Sequence, residues 1–203
     1  MPVKKARTDR PIQDVLASRY SPYGFADRSV SHADLASVFE AARWAASSFN
    51  EQPWSFVVAL REDPEEFELL LSCLVEGNQS WAKRAPVLAL GTFRQKFSHN
   101  DRPNRVALHD LGLASATLTV EAEARGLCVH QMAGILPDRA REVYGIPAHV
   151  EAATALAIGY AADPDSLPDN LKLRDSTPRE RKPTREFVFG AGWGRAAGWL
   201  DAE

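Results

Sequence analysis

A polar segment at residues 46–54 limits the folds that this chain can adopt, because it stands between a helical pattern and a strand pattern. Upstream, Ser31-His32-Ala33-Asp34 has the form of a capping box, and apolar residues such as Leu35 and Val38 follow at helical spacing. Downstream, residues 56–60 form a short apolar run typical of a strand buried on both faces. The polar segment therefore joins a helix to a core strand.

This segment carries Ser47, Ser48, Asn50 and Gln52. Inside a core crossover, their polar groups and those of the backbone must find hydrogen-bond partners. A bound planar polar cofactor would supply such partners, which makes the segment a candidate ligand site. An ordinary loop is the alternative, because Ser, Asn and Pro are common in turns.

Composition and charge are those of an ordinary soluble globular protein. The chain has 203 residues, of which 45% are hydrophobic and 25% charged, so we expect a single domain over residues 1–203 with one substantial core. A net charge of -3 argues against a dedicated nucleic-acid-binding protein, which normally has a basic excess. The sequence shows neither a secretory signal nor a membrane-spanning stretch, so we expect a cytoplasmic protein.

The cysteines and histidines give no sign of a metal site. Cys73 and Cys128 lie in separate apolar stretches, which predicts two buried thiols, with a redox or metal role as the alternative. The five histidines show neither paired nor clustered spacing of the kind that binds zinc. We therefore expect no metal.

Helical and strand patterns alternate along the rest of the chain, which predicts an α/β or α+β protein. The predicted helices span 63 to about 77, 106–125 and 138–144, and the predicted strands span 86–92, 127–132, 153–160 and 187–189. Residues 94–104 are polar and without period, as in a surface excursion or lid. Residues 164–203 form an irregular tail with aromatic residues, which we expect to wrap a partner subunit.

Two distant segments carry candidate anion-binding side chains. Arg19, Ser21 and Tyr23 alternate in an extended stretch, so they are expected to point the same way. The densest basic cluster lies in the tail and contains Arg179, Arg181, Lys182 and Arg185. Together they would suit a phosphate dianion, which prefers Arg, although solvated surface charge is the alternative. Neither a dinucleotide-binding glycine motif nor a Walker A motif occurs, so phosphate must be held in another way.

Taken together, these motifs resemble the FMN-dependent nitroreductase family. Arg19-Tyr20-Ser21 is similar to its N-terminal R-x-S motif, and residues 47–54 are similar to its more specific S-S-x-N-x-Q-P-W motif. Weaker similarities follow in the same order at residues 77–81, 110–112, 126–134, 157–160 and 181–188. The resemblance implies an α+β three-layer sandwich with a central, mostly antiparallel sheet flanked by helices. It also implies a homodimer in which the tail, residues 164–203, is domain-swapped.

The resemblance further implies two FMN sites at the subunit interface, each built from both chains. The flavin performs the chemistry, so no catalytic side chain is named. Arg19, Ser21 and Arg181 would hold the phosphate, and Asn78 would hydrogen-bond the polar edge of the flavin. The full set of implied cofactor-binding residues is Arg19, Tyr20, Ser21, Tyr23, Ser47, Ser48, Asn50, Asn78, Asp110, Gln131, Met132, Ala133, Gly134, Arg181 and Lys182.

The activity implied by the resemblance is an electron transfer in two halves. A hydride is taken from NAD(P)H, and electrons then pass to a nitroaromatic, quinone or other conjugated small molecule by a ping-pong mechanism. One alternative is a flavoenzyme of the same fold for a specific enone, semialdehyde or halogenated substrate, which residues 94–104 with Phe93 and Phe97 would decide. Others are a flavin-binding or redox-sensing module without turnover, and a structural protein with a decayed site.

Three positions depart from the family pattern. Ala46 stands where a Pro is frequent, and Tyr23 stands where a second basic residue is frequent. Asp110 occupies a helix position that can be an amide in relatives. A buried carboxylate there would oppose negative charge on a reduced flavin unless it points away.

Overall fold

Four strands form one antiparallel sheet in the computed structural model, which describes residues 4–201. The strands are β1 (Trp54–Leu60), β2 (Val87–Arg94), β3 (Cys128–Met132) and β4 (Val150–Gly159), and their order across the sheet is β1-β2-β4-β3. The predicted α+β class with an antiparallel sheet is thus confirmed. The ends of the predicted domain and tail, residues 1–3 and 202–203, lie outside the described residues.

Seven helices accompany the sheet within residues 4–201. They are α1 (Asp14–Ser18), α2 (His32–Arg43), α3 (Pro64–Leu71), α4 (Glu76–Ala82), α5 (Ala107–Ala124), α6 (Pro137–Tyr144) and α7 (Asp169–Ser176). The sheet lies between two helical layers because successive residues of β2 point to opposite faces. Leu88 packs with residues of α3, α4 and α6, and Val87 packs with residues of α2 and α5. This arrangement confirms the predicted three-layer sandwich.

Local sequence signals explain the ends of α2 and α5. The Ser31 hydroxyl accepts a hydrogen bond from the Asp34 N–H at 3.0 Å, which confirms the predicted N-terminal cap. At the other end of the same layer, Gly126 takes a left-handed φ of 73°. The N–H groups of Gly126 and Leu127 then donate to the carbonyls of Glu123 and Ala122. These bonds form a Schellman motif, and they confirm Gly126 as the stop signal of α5.

The helix predicted from residue 63 to about 77 is wrong in extent, because α3 ends at Leu71 and α4 begins at Glu76. Between them the chain pairs with a distant segment. The Cys73 carbonyl accepts from the Leu136 N–H at 2.7 Å, and Leu74 forms an isolated bridge with Ile135. Backbone groups used in this pairing are not available to a helix, so the helix breaks.

Two further expectations are corrected. The segment 56–60 was expected to be buried on both faces, but β1 is an edge strand and Val58 is 39% exposed. The strand predicted at 187–189 is absent from the described chain, where Phe189 makes only an isolated bridge with Ala196. A strand needs a neighbour along its length, and this segment has none within residues 4–201. In the same tail, α7 (Asp169–Ser176) was not predicted from the sequence.

Residues 94–104, which we call the access segment, fold back on themselves. Lys96 bridges Pro103, and the Phe97 N–H donates to the Arg102 carbonyl at 2.9 Å. At its base the Asn104 N–H donates to the Gln95 carbonyl at 2.7 Å. The predicted excursion is therefore an ordered hairpin that leads directly into α5.

None of the helices within residues 4–201 combines the length and the apolar character that crossing a membrane requires.

Candidate functional site

The N-terminal motif lies directly after α1. The Arg19 Nη1 atom donates to Ser21 Oγ at 3.4 Å, so the guanidinium and the hydroxyl lie side by side as the alternation predicted. Tyr20 is buried, and burial raises the pKa of its phenol. The ring of Tyr23 packs against Trp81 and His130, with centroid distances of 5.2 and 4.7 Å. Both tyrosines therefore support the motif from the core side.

Arg179 ties the tail to this motif. Its guanidinium donates to three backbone carbonyls, those of Lys4 at 2.9 Å, Ala17 at 2.6 Å and Arg19. Burial lowers the pKa of Arg179, and the nearby charges of Arg19 and Arg181 lower it further. The two cationic segments thus do meet, through Arg179, a member of the basic cluster of the tail that was not among the implied cofactor-binding residues.

The other basic residues of the tail divide between two surroundings. Arg181 lies close enough to Arg179 to affect its pKa, and its own guanidinium donates to the Glu180 carbonyl at 2.7 Å. The Lys182 ammonium instead lies 5.6 Å from the centroid of the Phe187 ring. Arg181 therefore lies with the arginine that contacts the N-terminal motif, whereas Lys182 lies against Phe187.

Asn78 and Gly134 meet beside the break between α3 and α4. The Asn78 Nδ2 atom donates to the Gly134 carbonyl at 3.0 Å, and the Val75 N–H donates to the same oxygen at 3.1 Å. A Cβ atom at position 134 would lie 2.6 Å from Asn78 Nδ2 and 2.8 Å from Val75 Cγ2. Only glycine permits this close approach.

We expect Gly134→Ala to lower the free energy of unfolding by about 1–3 kcal/mol, because the new methyl group must displace Asn78 or Val75. Urea unfolding monitored by circular dichroism measures this change. The matched control is Gly112→Ala in α5, where a Cβ atom meets nothing within 4 Å and Ala is the better helix former. Equal stability of the two variants would contradict the close-approach argument.

The residues at the end of β3 and just after it point in different directions. Gln131 turns toward α5, where its Nε2 atom donates to Thr119 Oγ1 at 3.1 Å and to the Ser115 carbonyl at 3.3 Å. Met132 is buried in the core, whereas Ala133 is exposed. Of this segment, Ala133 and Gly134 are best placed to meet a ligand.

The polar segment between α2 and β1 is held by its own side chains. Ser47 Oγ accepts from the Gln52 N–H at 3.0 Å, and the Gln52 side chain donates to the carbonyl and to Oδ1 of Asn50, both at 3.1 Å. Phe49, Asn50 and Gln52 adopt left-handed φ values of 54°, 54° and 47°. Such values are uncommon outside glycine, and a cluster of them is typical of functional sites.

Asp110 anchors this loop from the first turn of α5. Its side chain is buried, with the residue only 2% exposed, and Oδ2 accepts from the Ser48 N–H at 3.2 Å. The other oxygen, Oδ1, lies 3.4 Å from Nδ1 of His109. The carboxylate therefore faces the Ser48 backbone, and it holds the loop from the side of α5.

Two groups of candidate residues lie at opposite ends of α5. We call Arg19, Ser21, Arg179 and Arg181 the arginine half-site, and Ser47, Ser48, Asn50 and Asp110 the loop half-site. Asn78 and Gly134 form a separate contact beside the break between α3 and α4. Burial raises the pKa of Glu123, in the last turn of α5, and the nearby charges of Arg19 and Arg179 oppose that shift. Asp110 and Glu123 are therefore reference points for the two groups, and at 1.5 Å per residue they lie roughly 20 Å apart along the helix.

Both cysteines are buried and unpaired, as predicted. Burial raises the pKa of the Cys128 thiol to about 12, which keeps it protonated and unreactive at neutral pH. Among the described residues, no three His, Cys, Asp or Glu side chains are grouped as they would need to be to hold a metal ion.

The fold and the site define an α+β protein with a corner of gathered guanidiniums and a polar loop of left-handed backbone. A family model, the nitroreductase family, matches residues 16–74 and 60–160. The chain belongs to this family.

Solved structures and curated relatives agree with that assignment. The crystal structure of an oxidoreductase containing FMN is 32% identical, with a TM-score of 0.85 over 92% of this chain and 95% of that one. An uncharacterised 15.4 kDa protein of Mycolicibacterium smegmatis is 35% identical over 130 residues, or 64% of this chain and 86% of its own length. An Archaeoglobus fulgidus protein, provisionally named as an NADH dehydrogenase/NAD(P)H nitroreductase, is 25% identical over 73% of this chain and 84% of its own.

Proposed function

We propose that this protein is an FMN-dependent oxidoreductase that takes electrons from NAD(P)H. It passes them to a nitroaromatic, a quinone or a similar conjugated acceptor by a ping-pong mechanism. The observation that carries the proposal is the meeting of Arg19, Arg179 and Arg181, which come from opposite ends of the chain. The similarity to an FMN-containing oxidoreductase over 92% of the chain supports it.

The residues present fit the phosphate of FMN. Three guanidiniums are gathered at one place, where the charges of Arg19 and Arg181 add to burial in lowering the pKa of Arg179, and the Glu123 carboxylate interacts with Arg19 and Arg179. Like charges held together in this way repel one another unless an anion joins them. Arg is also the side chain best suited to a phosphate, because its planar fork can donate two parallel hydrogen bonds.

Each part of the two half-sites has a role in this proposal. Arg19, Ser21 and Arg181 hold the phosphate, while Arg179 keeps the motif in place through the three carbonyls. Ser47, Ser48 and Asn50 line the ring system, and Asn78 bonds its polar edge. When bound, FMN supplies the hydride and electron transfer, and the protein supplies orientation and electrostatics.

The separation of the half-sites supports a homodimer. Roughly 20 Å along α5 is farther than one FMN extends from its phosphate to its ring. We infer that the arginine half-site of one chain faces the loop half-site of a second copy, so that a twofold dimer holds two sites. The tail, residues 164–203, would wrap the second copy, and the dimer would work in the cytoplasm.

The proposed activity is tested on the purified protein. We expect the absorption spectrum of a flavin, a released cofactor with the mass of FMN, and NAD(P)H oxidation in the presence of menadione. A bound flavin without turnover above free FMN would favour the flavin-binding module. A colourless protein that does not take up added FMN would reject both readings.

Mixing two inactive variants tests the composite site. Arg19→Ala damages the arginine half-site, and Ser48→Phe fills the loop half-site with a ring. If each site is built from two chains, co-expressed variants form mixed dimers that carry one intact site. We then expect about one quarter of the wild-type FMN content to return, since about half of randomly paired dimers are mixed.

The matched control for that experiment is the double variant, in which one chain carries both substitutions. Expressed alone, it should bind no FMN. If FMN content in the mixture stays at the level of the separate variants, each site lies within one chain and the dimer argument is wrong.

A further inference from the structure

The N-terminal motif, residues 19–21, has no regular secondary structure of its own, because α1 ends at Ser18. An irregular segment must be held by groups from other parts of the chain. The tail holds this one through Arg179, which donates to the Arg19 carbonyl. Helix α7 holds the residues just beyond the motif through the Asp175 carboxylate, which accepts from two backbone N–H groups. The motif therefore depends on side chains from distant elements for its conformation.

His130 of β3 supplies a third support. Its Nδ1 atom lies 2.9 Å from the carbonyl oxygen of Pro22, the residue that follows Ser21. A carbonyl oxygen can only accept a hydrogen bond, so Nδ1 carries the hydrogen and donates it. Burial lowers the pKa of His130, which favours the neutral ring at neutral pH. A neutral imidazole has one N–H group, and here the Pro22 carbonyl takes it.

Two aromatic rings hold the His130 ring in this orientation. Trp81 lies against it, with centroids 4.4 Å apart and an interplanar angle of 34°. Tyr23 meets it edge to face, with centroids 4.7 Å apart and an angle of 73°. Trp81 is itself only 2% exposed, and closely packed rings in a protein interior have little room to turn. The Nδ1–H group therefore stays directed at Pro22, through contacts that all lie within one chain.

The same rings join the motif to the helix that carries Asn78. Trp81 lies three residues after Asn78 in α4, and residues at this spacing share a helix face. The Asn78 side chain donates to the carbonyl of Gly134, two residues beyond the strand of His130. Helix α4, strand β3 and the motif thus meet at the His130 ring. A shift of this ring would displace the motif relative to Asn78.

Resting on the proposed function, we propose that His130 is a positioning residue for the phosphate of FMN. Its hydrogen bond to Pro22 holds the backbone next to Ser21, and so keeps the Ser21 hydroxyl beside the Arg19 guanidinium, 3.4 Å away. Donors that are already in place bind an anion more tightly, because less of the binding energy is spent on ordering them. Loss of the hydrogen bond should therefore weaken the phosphate's contribution to binding and leave the rest of the cofactor's contribution unchanged.

Substitutions at His130 separate its hydrogen bond from its ring. His130→Phe keeps an aromatic ring between Trp81 and Tyr23 but has no N–H group. His130→Asn keeps a donor close to the position of Nδ1, whereas His130→Gln places its amide farther out. Fluorescence titration of each apoprotein measures the dissociation constants of FMN and riboflavin.

We expect the Phe and Gln variants to bind FMN about fivefold to tenfold more weakly, as the loss of one hydrogen bond predicts, with riboflavin binding unchanged. His130→Asn should keep the preference of the wild-type protein for FMN over riboflavin. The matched control is His32→Phe, which replaces an exposed histidine of α2 and should change neither constant.

The comparison of the two ligands distinguishes positioning from a role in the fold. An equal loss of FMN and riboflavin binding in the His130 variants would assign the residue to the fold and overturn the proposal. An unchanged preference for FMN in His130→Phe would overturn it too. If His130→Asn lost the preference as fully as His130→Phe, the donor would not be the cause and the proposal would fall.

Nuclear magnetic resonance of protein labelled with ¹⁵N-histidine tests the hydrogen bond without a variant. We expect the neutral His130 ring to carry its proton on Nδ1, and a proton on Nε2 instead would overturn the proposal.

Turnover separates this proposal from the proposed function. Wild-type protein whose preference for FMN depends on His130, but which does not oxidise NAD(P)H, would reject the proposed function and keep the positioning role. Turnover by a His130→Phe protein that keeps its full preference for FMN would reject the positioning role alone. Wild-type protein without any preference for FMN over riboflavin would reject both.

Discussion

Arg19→Ala combined with Arg181→Ala is expected to yield a folded protein without FMN. Arg179 is already committed to three backbone carbonyls, so Arg19 and Arg181 are the guanidiniums most able to turn toward a phosphate. Removing one partner of a buried charged contact costs about 2–5 kcal/mol. Two such losses raise the dissociation constant for FMN by at least about 1,000-fold. Fluorescence titration of the apoprotein with FMN measures the effect.

Riboflavin makes this experiment specific for the phosphate. Wild-type protein should bind FMN much more tightly than riboflavin, and the double variant should bind both equally weakly. The control removes two other arginines, Arg43 and Arg139, which lie in exposed pairs with Glu40 and Glu142 and therefore contribute little. Stoichiometric FMN retained by the Arg19/Arg181 variant would reject the phosphate assignment.

The motif at residues 47–54 shows what the sequence could and could not predict. Its place between α2 and β1 followed from the apolar patterns on either side, and its need for hydrogen-bond partners followed from its polar composition. That its own side chains supply many of those partners did not follow. Its left-handed backbone did not follow, because Phe49 and Gln52 are not residues that favour such values. The burial of the Glu51 side chain, which is only 4% exposed, could not be predicted either, since a lone Glu in a polar segment is usually solvated.

Long-range pairing explains the other differences. The break between α3 and α4 depends on contacts with residues 134–136, which lie some sixty positions later in the chain. Periodicity within a window carries no information about such a partner. The role of Arg179 could not be predicted either, because nothing in a run of basic residues distinguishes the one that contacts Arg19.

The helices, strands and loop that carry the site residues could therefore be predicted from the sequence. Their arrangement into two half-sites could not. Capping and periodicity placed α2, α5 and the four strands to within a few residues, because those signals lie inside each element. The division into two half-sites at opposite ends of α5 emerged only from the folded chain. This division is a physical reason to propose a dimer. From the sequence, the dimer followed only from the resemblance to the family.

Asp175→Ala is expected to lower the free energy of unfolding by about 3–5 kcal/mol, a large part of the stability of an ordinary domain. Asp175 is 2% exposed and joins α7 to the N-terminal motif. Its carboxylate accepts from the Tyr23 N–H at 2.9 and 3.1 Å and from the Gly24 N–H at 3.0 Å. Hydrogen bonds to a charged group contribute about 1.5–3 kcal/mol each, and their loss leaves two buried donors unpaired.

Urea unfolding at a fixed protein concentration measures this loss, because the stability of the proposed dimer would depend on concentration. Asp175→Asn keeps an acceptor oxygen but not the charge, so it should lose less than Asp175→Ala. Asp169→Ala removes an exposed carboxylate from the first turn of the same helix and should cost no more than about 1 kcal/mol. If Asp175→Ala were no less stable than Asp169→Ala, α7 would not hold the N-terminal motif. The link from the tail to the N-terminal motif would then rest on other contacts, those of Arg179 among them.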